Sequence, residues 1–180
     1  MIWSGKRVAE YVEDVDEDMI QPNGVDLRVG ECYILLPYTG KRKTVEPEDR
    51  YGYIPLKANR AYIVKFKNKV RIPEKTVGMF FVRSSMWRKR GILIQASLWD
   101  TGYVGHGEVL IFPTVNSFLY IGERFGQIVF ADAEDTFLYN GQYQEDTLEL
   151  NEKTKEELLQ AEREIKEGHF KTHEEIVKVL

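Results

Sequence analysis

The feature that most constrains the fold is a series of short apolar or alternating runs between residues 25 and 130, separated by Gly, Pro, Asn and charged residues. In the run AYIVKF, Tyr62, Val64 and Phe66 would share one face of a strand, and the residues between them the other face. This pattern of short runs is typical of an antiparallel sandwich or barrel and not of alternating strands and helices. The runs are VDLRV, CYILL, AYIVKF, TVGMFFV, GILIQAS, GEVLIF and FGQIVF.

Helices are expected towards the two ends of the chain. Ser4 can cap a short amphipathic helix in the segment GKRVAEYVED. The last thirty or so residues contain two Thr-x-x-Glu capping boxes, which begin at Thr154 and Thr172 and predict two short helices. We therefore predict a β domain over residues 1–147 and a helical C-terminal extension over residues 148–180.

Composition and charge exclude several classes of function. A net charge of −4 argues against general nucleic-acid affinity, because that binding depends on neutralising phosphates over a broad basic surface. The single cysteine, Cys32, cannot form an intrachain disulfide, and its apolar surroundings predict a buried thiol in a reducing compartment. The start of the chain lacks the features of a signal peptide, and no apolar run approaches the roughly 20 residues of a membrane span. These features predict a soluble, cytoplasmic protein with no membrane partner.

Metal chemistry based on cysteine and histidine is not expected. His106 and Glu108 form the H-x-E half of a zinc deaminase signature, but its P-C-x-x-C half cannot exist in a chain with one cysteine. The sequence also lacks a G-x-S-x-G elbow and a P-loop.

The segment VRSSMWRKRG, residues 82–91, places two hydroxyls and four basic side chains directly after an apolar run. Hydroxyl, guanidinium and backbone N–H donors at a strand end suit the oxygens of a polyphosphate. The same composition is typical of a solvated basic turn, and that interpretation is favoured for this segment taken alone.

The segment LWDTGYVG, residues 98–105, holds one carboxylate, Asp100, before a Thr-Gly pair. Asp at such a position is typical of a turn, because its side chain can bond the backbone two residues on. A carboxylate can also act as a general base. The turn interpretation is favoured for the segment alone, and Asp100 could serve both roles.

Five segments in order resemble the successive motifs of the dUTPase and dCTP deaminase superfamily, and the set is closest to archaeal-type dUTP diphosphatases on the dCTP deaminase-like scaffold. The resemblance implies a mainly β, distorted jelly-roll or β-clip fold, a homotrimer, and active sites between subunits. The segments are GVDLRVG (24–30), VRSSMWR (82–88), LWDTGYVG (98–105), GERFGQIVF (122–130) and YNGQYQ (139–144).

The resemblance also implies which residues bind the triphosphate. Its phosphate-binding motif matches four residues of the basic segment, and a phosphate-contacting glutamine matches Gln127. With these partners elsewhere in the sequence, the phosphate interpretation of the basic segment becomes the better one. The matching residues of the basic segment are Arg83, Ser84, Ser85 and Arg88.

The remaining matches concern the metal, the sugar and the reacting water. Asp26 matches an acidic residue that organises water and metal-bound phosphates, and Tyr103 an aromatic that packs under the deoxyribose. Asp100 matches the aspartate that activates the attacking water. A deaminase of this superfamily needs a glutamate ten residues later, where this chain has Leu110. Glu108, two positions earlier, is predicted to have a structural role, paired with an Arg or Lys at the strand edge.

The resulting hypothesis is a dUTP diphosphatase that hydrolyses dUTP to dUMP and diphosphate, with Mg²⁺ as cofactor. The Mg²⁺ would be held mainly by the substrate phosphates, with Asp26 contacting it through water. Two alternatives stay open. One is a dCTP deaminase, single or bifunctional, that uses Glu108 or a residue of another subunit, and the other is a non-catalytic nucleotide-binding regulatory protein.

Overall fold

A computed structural model of the protein describes residues 1–36, 41–141 and 143–144. All of them lie in one compact unit, Met1–Asp146. The helical extension predicted over residues 148–180 lies outside the described residues, so it stays a prediction.

The described residues form twelve strands, two short α-helices and one 3-10 helix, which confirms the mainly β prediction. In chain order the elements are α1 (Gly5–Ala9), the 3-10 helix (Glu17–Met19), β1 (Ile20–Gln21), β2 (Gly24–Leu35), β3 (Arg42–Thr44), β4 (Tyr53–Leu56), β5 (Tyr62–Phe66), β6 (Val70–Arg71), β7 (Thr76–Val82), α2 (Ser84–Arg90), β8 (Ile92–Gln95), β9 (Val104–Gly105), β10 (Glu108–Pro113), β11 (Ser117–Tyr120) and β12 (Arg124–Asp132).

One large antiparallel sheet organises the described part of the chain, in the order β7-β12-β2-β5-β10-β8. Strand β2 is its centre, because its first half pairs with β12 and its second half with β5. The register shifts between Val29 and Glu31, where β2 passes from one partner to the other. Strands β1 and β3 also pair with β2, and β11-β4 and β6-β9 form two small sheets.

The core lies on the face of this sheet that the alternating runs predict. Tyr62, Val64 and Phe66 of β5 are buried, while the residues between them are half-buried. Phe66 contacts Phe80 with ring centroids 4.7 Å apart and Trp99 at 6.2 Å. Each large apolar side chain that is fully buried contributes about 1.5–3 kcal/mol, so this aromatic cluster is a main source of stability.

The N-terminal helix forms as predicted but is only five residues long. The Ser4 hydroxyl accepts a hydrogen bond from the N–H of Arg7 at 3.4 Å, which caps α1. Gly5 lies so close to β1 that a Cβ there would be 1.8 Å from the carbonyl oxygen of Gln21. The helix therefore packs directly against the backbone of the sheet.

Two polar segments form regular structure. The segment after residue 40 is charged and is interrupted by Pro47, which is typical of a surface loop, but Arg42–Thr44 forms a strand that pairs with the end of β2. The basic segment after Val82 was expected to be a turn, but Ser84–Arg90 is a helix. Met86 anchors that helix in the core, and Gly91 ends it with a left-handed φ of 63°.

Candidate active site

Asp26 and Gln127 lie directly opposite each other on β2 and β12. Gln127 is in turn opposite Phe81 on β7, so the three side chains share the face of the sheet away from the core. The Gln127 side chain also lies against Gly24 of β2, where a Cβ would be 2.9 Å from its amide nitrogen. Two residues predicted from separate motifs are thus brought together by strand pairing.

Two arginines surround the Asp26 carboxylate. Arg83 Nε lies 3.5 Å and Arg124 Nη1 3.7 Å from Asp26 Oδ2. Arg83 also donates to the backbone carbonyl of Arg124 at 3.2 Å. Because Asp26 is only 3% exposed, burial raises the pKa of its carboxyl group more than the two guanidinium groups lower it. We call Asp26, Arg83, Arg124 and Gln127 the phosphate cluster.

Arg124 was not identified from the sequence. It stands three residues before Gln127 in the motif GERFGQIVF, so its position next to a predicted site residue was an available signal. In the structure it also pairs with Asp18, at 3.5 Å between Nη1 and Oδ2. The side chains of Arg83 and Arg124 remain 35% and 29% exposed. Two aligned guanidinium groups that are still open to solvent can bind phosphate oxygens.

The other predicted phosphate ligands lie on α2, which follows β7 directly. Ser84 and Arg88 are exposed and four residues apart, so they lie on one face of the helix, and Ser85 is half-buried. Arg90 has a different role, because it donates to Glu123 at 2.7 Å and its guanidinium lies 4.4 Å from the Phe118 ring. Arg90 therefore fixes the end of α2 and is not available for a ligand.

Asp100 and Tyr103 lie in a second group, the Asp100 hairpin, which comprises residues 99–107. The hairpin is closed by backbone, since the N–H of Tyr103 donates to the carbonyl of Asp100 at 3.1 Å and Gly102 has a φ of 81°. The Asp100 carboxylate is exposed and has no hydrogen-bond or ion-pair partner among the residues described. The side-chain bond expected of a turn-forming aspartate is thus not made, and the carboxylate is available.

Within one chain the two groups stand apart. Trp99 exchanges two backbone hydrogen bonds with Gly78 of β7, at 2.8 and 2.9 Å, which places the Asp100 hairpin at that end of the strand. Arg83 follows the other end of β7, five residues later, which is about 17 Å of extended chain. The two groups are therefore well separated along β7 within one subunit.

The carboxylate of Glu108, which was considered for deamination, is held in an ion pair. Arg42 donates to both carboxylate oxygens of Glu108 at 2.7 Å, which confirms the predicted pairing with a basic residue. Leu110 lies on the same face of β10 and opposite Ile63 and Gln95. Proton transfer at a base would require Glu108 to break a two-point ion pair.

The described residues contain no group of three or more His, Cys, Asp or Glu side chains that could hold a metal ion. Among the same residues, no helix has the length and apolar character needed to cross a membrane.

Tyr103 is enclosed by aromatic rings of its own chain, with centroids 5.7 Å from Trp99 and 6.0 Å from Tyr139. Trp99 is 6% exposed and belongs to the core.

The chain is similar to archaeal proteins of nucleotide metabolism. A protein of Aeropyrum pernix named probable deoxyuridine 5'-triphosphate nucleotidohydrolase is 38% identical over 140 residues, 72% of this chain and 87% of that protein. A protein of the same name from Halobacterium salinarum is 33% identical over 154 residues, which cover 79% of this chain and 93% of that protein. A protein of Pyrococcus horikoshii named dCTP deaminase is 33% identical over 141 residues, which cover 76% of this chain and 85% of that protein.

The crystal structure of 2'-deoxycytidine 5'-triphosphate deaminase from Agrobacterium tumefaciens shares the fold, with a TM-score of 0.58 at 18% identity. The alignment covers 72% of this chain and 48% of that one, so this chain spans about half the length of that protein. The family model for dCTP deaminase-like proteins matches residues 2–133, which include every predicted site residue. The chain belongs to the dCTP deaminase-like family.

Proposed function

We propose that the protein is a Mg²⁺-dependent dUTP diphosphatase. The observation that carries the proposal is the contrast between two carboxylates: Asp100 is exposed and unpaired among the residues described, whereas Glu108 is held by Arg42. Among the residues described, the carboxylate assigned to water activation is therefore available, whereas the one considered for proton transfer at the base is held in an ion pair. The names of the relatives from Aeropyrum pernix and Halobacterium salinarum support the same reaction.

The phosphate cluster and α2 bind the triphosphate. Arg83 and Arg124 contact its oxygens through their guanidinium groups, and Ser84 and Arg88 add an exposed hydroxyl and a third cation. Asp26 acts as a positioning residue, because its buried carboxylate holds both arginines side by side. Gln127 extends the same binding surface across the sheet.

Asp100 activates the attacking water as a general base. The water oxygen forms a bond to the α-phosphorus, in line with the bond from that phosphorus to the bridging oxygen, which breaks. The proton of the water passes to the Asp100 carboxylate, and diphosphate leaves with the bonding electrons. The products are dUMP and diphosphate.

The donor set of the phosphate cluster fits Mg²⁺ that arrives with its substrate. Mg²⁺ usually keeps several waters and binds through one or two carboxylates together with substrate phosphates, which agrees with one carboxylate, Asp26, beside two phosphate-binding arginines. Asp26 would contact the ion through water. The ion supplies charge neutralisation on the triphosphate when bound.

The Asp100 hairpin receives the nucleoside. Tyr103 lies three residues after Asp100 and is half-buried, so its ring can pack under a deoxyribose that leaves the α-phosphate near Asp100. Backbone groups of the hairpin can complement the edge of uracil and leave the amino group of cytosine unpaired.

A homotrimer with sites between subunits accounts for the separation of the two groups. The Asp100 hairpin of one subunit would complete the phosphate cluster of another, since about 17 Å of strand divides them within a chain. An apolar face is available for such contacts, because Leu93 and Phe112, which are opposite each other on β8 and β10, are 53% and 39% exposed.

A dCTP deaminase remains the second candidate, supported by the 33% identity to the protein of Pyrococcus horikoshii that carries that name. Product analysis separates the two activities. The protein is incubated with dUTP and dCTP in parallel, with and without Mg²⁺, and dUMP, diphosphate and ammonia are measured. We expect diphosphate from dUTP only when Mg²⁺ is present, and no ammonia from dCTP. Brisk ammonia release would overturn the argument from Leu110 and Glu108, and binding of dUTP without turnover would indicate a regulatory protein.

A further inference from the structure

The last described residues of the chain, 136–141 and 143–144, are docked on the Asp100 hairpin. The N–H of Tyr139 donates to the carbonyl of Thr101 at 2.7 Å, and its ring meets that of Tyr103 edge to face. Leu138 lies against Gly102, where a Cβ would be 2.9 Å from a Leu138 methyl group. This segment therefore covers the part of the hairpin where the proposed nucleoside would lie.

Gln144 makes the most specific contact in this segment. Its side-chain oxygen accepts a hydrogen bond from the N–H of Val104 at 3.1 Å, and its side-chain nitrogen donates to the carbonyl of Gly102 at 2.9 Å. These two backbone groups flank Tyr103. The hairpin thus offers one donor and one acceptor, and a planar carboxamide satisfies both.

Uracil presents the same arrangement of atoms. Its C4 carbonyl and N3–H form an H–N–C=O edge, with the donor and acceptor as close together as in the Gln144 carboxamide. Backbone groups that bind one edge will bind the other. We propose that Gln144 occupies the position of the uracil edge in the free protein and must be displaced by the substrate's base. This inference rests on the proposed function, in which the hairpin receives the nucleoside.

Such an internal mimic lowers the apparent affinity for nucleotides, because only the fraction of molecules with the hairpin vacated can bind. The same factor applies to every base that needs the vacated hairpin. A base that lacks either the donor or the acceptor is disfavoured separately, because it would leave one backbone group unpaired. Gln144 therefore acts as an intramolecular competitor of the base.

The test compares nucleotide binding by Gln144→Ala with that of the unchanged protein. The probe is α,β-imido-dUTP, whose nitrogen bridge resists hydrolysis, and affinity is measured by calorimetry in Mg²⁺. Gln144→Glu is a second variant, because its carboxylate cannot donate to Gly102. Asn140→Ala is the matched control, since it removes an exposed carboxamide of the same segment that makes no hydrogen bond among the described residues.

We expect both Gln144 variants to bind the probe about three- to tenfold more tightly, and Asn140→Ala to bind like the unchanged protein. The N3-methyl form of the probe lacks the donor, so it should bind more weakly than the probe itself to every one of these proteins. Equal or weaker binding by Gln144→Ala, or no binding by any of the proteins, would overturn the inference. Diphosphate release from dUTP is assayed separately: turnover with no gain in affinity rejects only the Gln144 proposal, and a gain without turnover rejects only the proposed reaction.

Discussion

Asp26 combines nearly complete burial with two guanidinium neighbours, and the two influences on its charge oppose each other. Burial disfavours the carboxylate, while Arg83 and Arg124 favour it. The net result is a raised pKa, which means that the folded protein stabilises the charged form less than the unfolded chain does. The residue is retained at this cost because it aligns the two arginines of the phosphate cluster.

The pH dependence of stability should report this balance. A carboxyl group with a raised folded pKa contributes stability that is fully present below its unfolded pKa, near 3.8, and is lost as pH rises through the folded value. Asn does not titrate, so the free energy of unfolding of Asp26→Asn should rise relative to that of the unchanged protein between pH 4 and pH 7, which means that the variant becomes relatively more stable. Urea unfolding at both pH values measures this. Asp135→Asn, at an exposed position, is the control and should show no such trend.

Asp100 should be required for turnover and not for binding. Loss of a general base costs about 10²–10⁴ in rate, so Asp100→Asn should reduce kcat for dUTP by at least about 100-fold. The affinity for α,β-imido-dUTP should stay nearly unchanged, because the carboxylate makes no contact that supports the hairpin. Steady-state kinetics and calorimetry measure the two quantities. A variant that keeps its turnover would remove Asp100 from the mechanism.

Residues were predictable from the sequence to different degrees. The burial of Cys32 followed from its apolar neighbours, and it is 1% exposed. The pairing of Glu108 with a basic side chain was also predicted, although Arg42 lies 66 residues away and its identity depends on strand pairing. Arg124 and Gln144 lie within motifs that the sequence showed, but their contacts with Asp26 and with the Asp100 hairpin depend on the fold.

At the scale of elements, β12 serves the core and the site together. Phe125 and Phe130 are fully buried on one face, while Gln127 faces the phosphate cluster on the other. The strand has an irregular register between Arg124 and Gly126. A Cβ at Gly126 would be 2.1 Å from the Phe80 ring and 2.8 Å from the carbonyl oxygen of Phe81, so this position accepts only glycine unless both move, and the ring is the nearer obstacle.

Gly126→Ala should therefore destabilise the protein by about 1–3 kcal/mol, the usual cost of overpacking a core. Chemical denaturation measures this loss. Replacing Phe80 by Leu removes the colliding ring atoms, so the double variant should lose less stability than the sum of the two single changes. Additive losses would show that the ring of Phe80 is not what restricts Gly126.

Strands were easier to predict than the short elements between them. A period of two marks β5 and β7 because each has one buried face, and this pattern is visible in the sequence. Helix α2 has one buried residue, Met86, and no apolar stripe, so the sequence contains no helical periodicity that predicts it. It forms because Met86 is anchored in the core and Gly91 provides its end, and both are tertiary effects.

At the scale of the whole molecule, the proposed site needs more than one chain. The sequence predicted the members of both groups except Arg124, but the separation of the groups depends on where the Asp100 hairpin joins β7, at Gly78 and not near Arg83. Only the strand register contains that information. The assembly is therefore where the proposed function is most directly tested.

Complementation between two inactive variants provides that test. Asp100→Asn lacks the base, and Arg83→Ala lacks a phosphate ligand, so each alone should be inactive. If Asp100 and Arg83 come from different subunits, a refolded equimolar mixture contains sites with both intact residues, on the order of a quarter of the total. Diphosphate release from the mixture should reach about that fraction of normal activity. A mixture as inactive as its components would place both residues in one subunit.

The pairing of β2 with β12 also affects how the protein is made. Asp26 emerges from the ribosome about 100 residues before Gln127, its cross-strand partner. At a synthesis rate of about 5–20 residues per second, that interval lasts about 5–20 s. Throughout it, β7 and the first half of β2 lack the strand that joins them. The sheet is complete only after its last strand is made, so we expect nascent chains of this protein to bind chaperones that shield apolar segments.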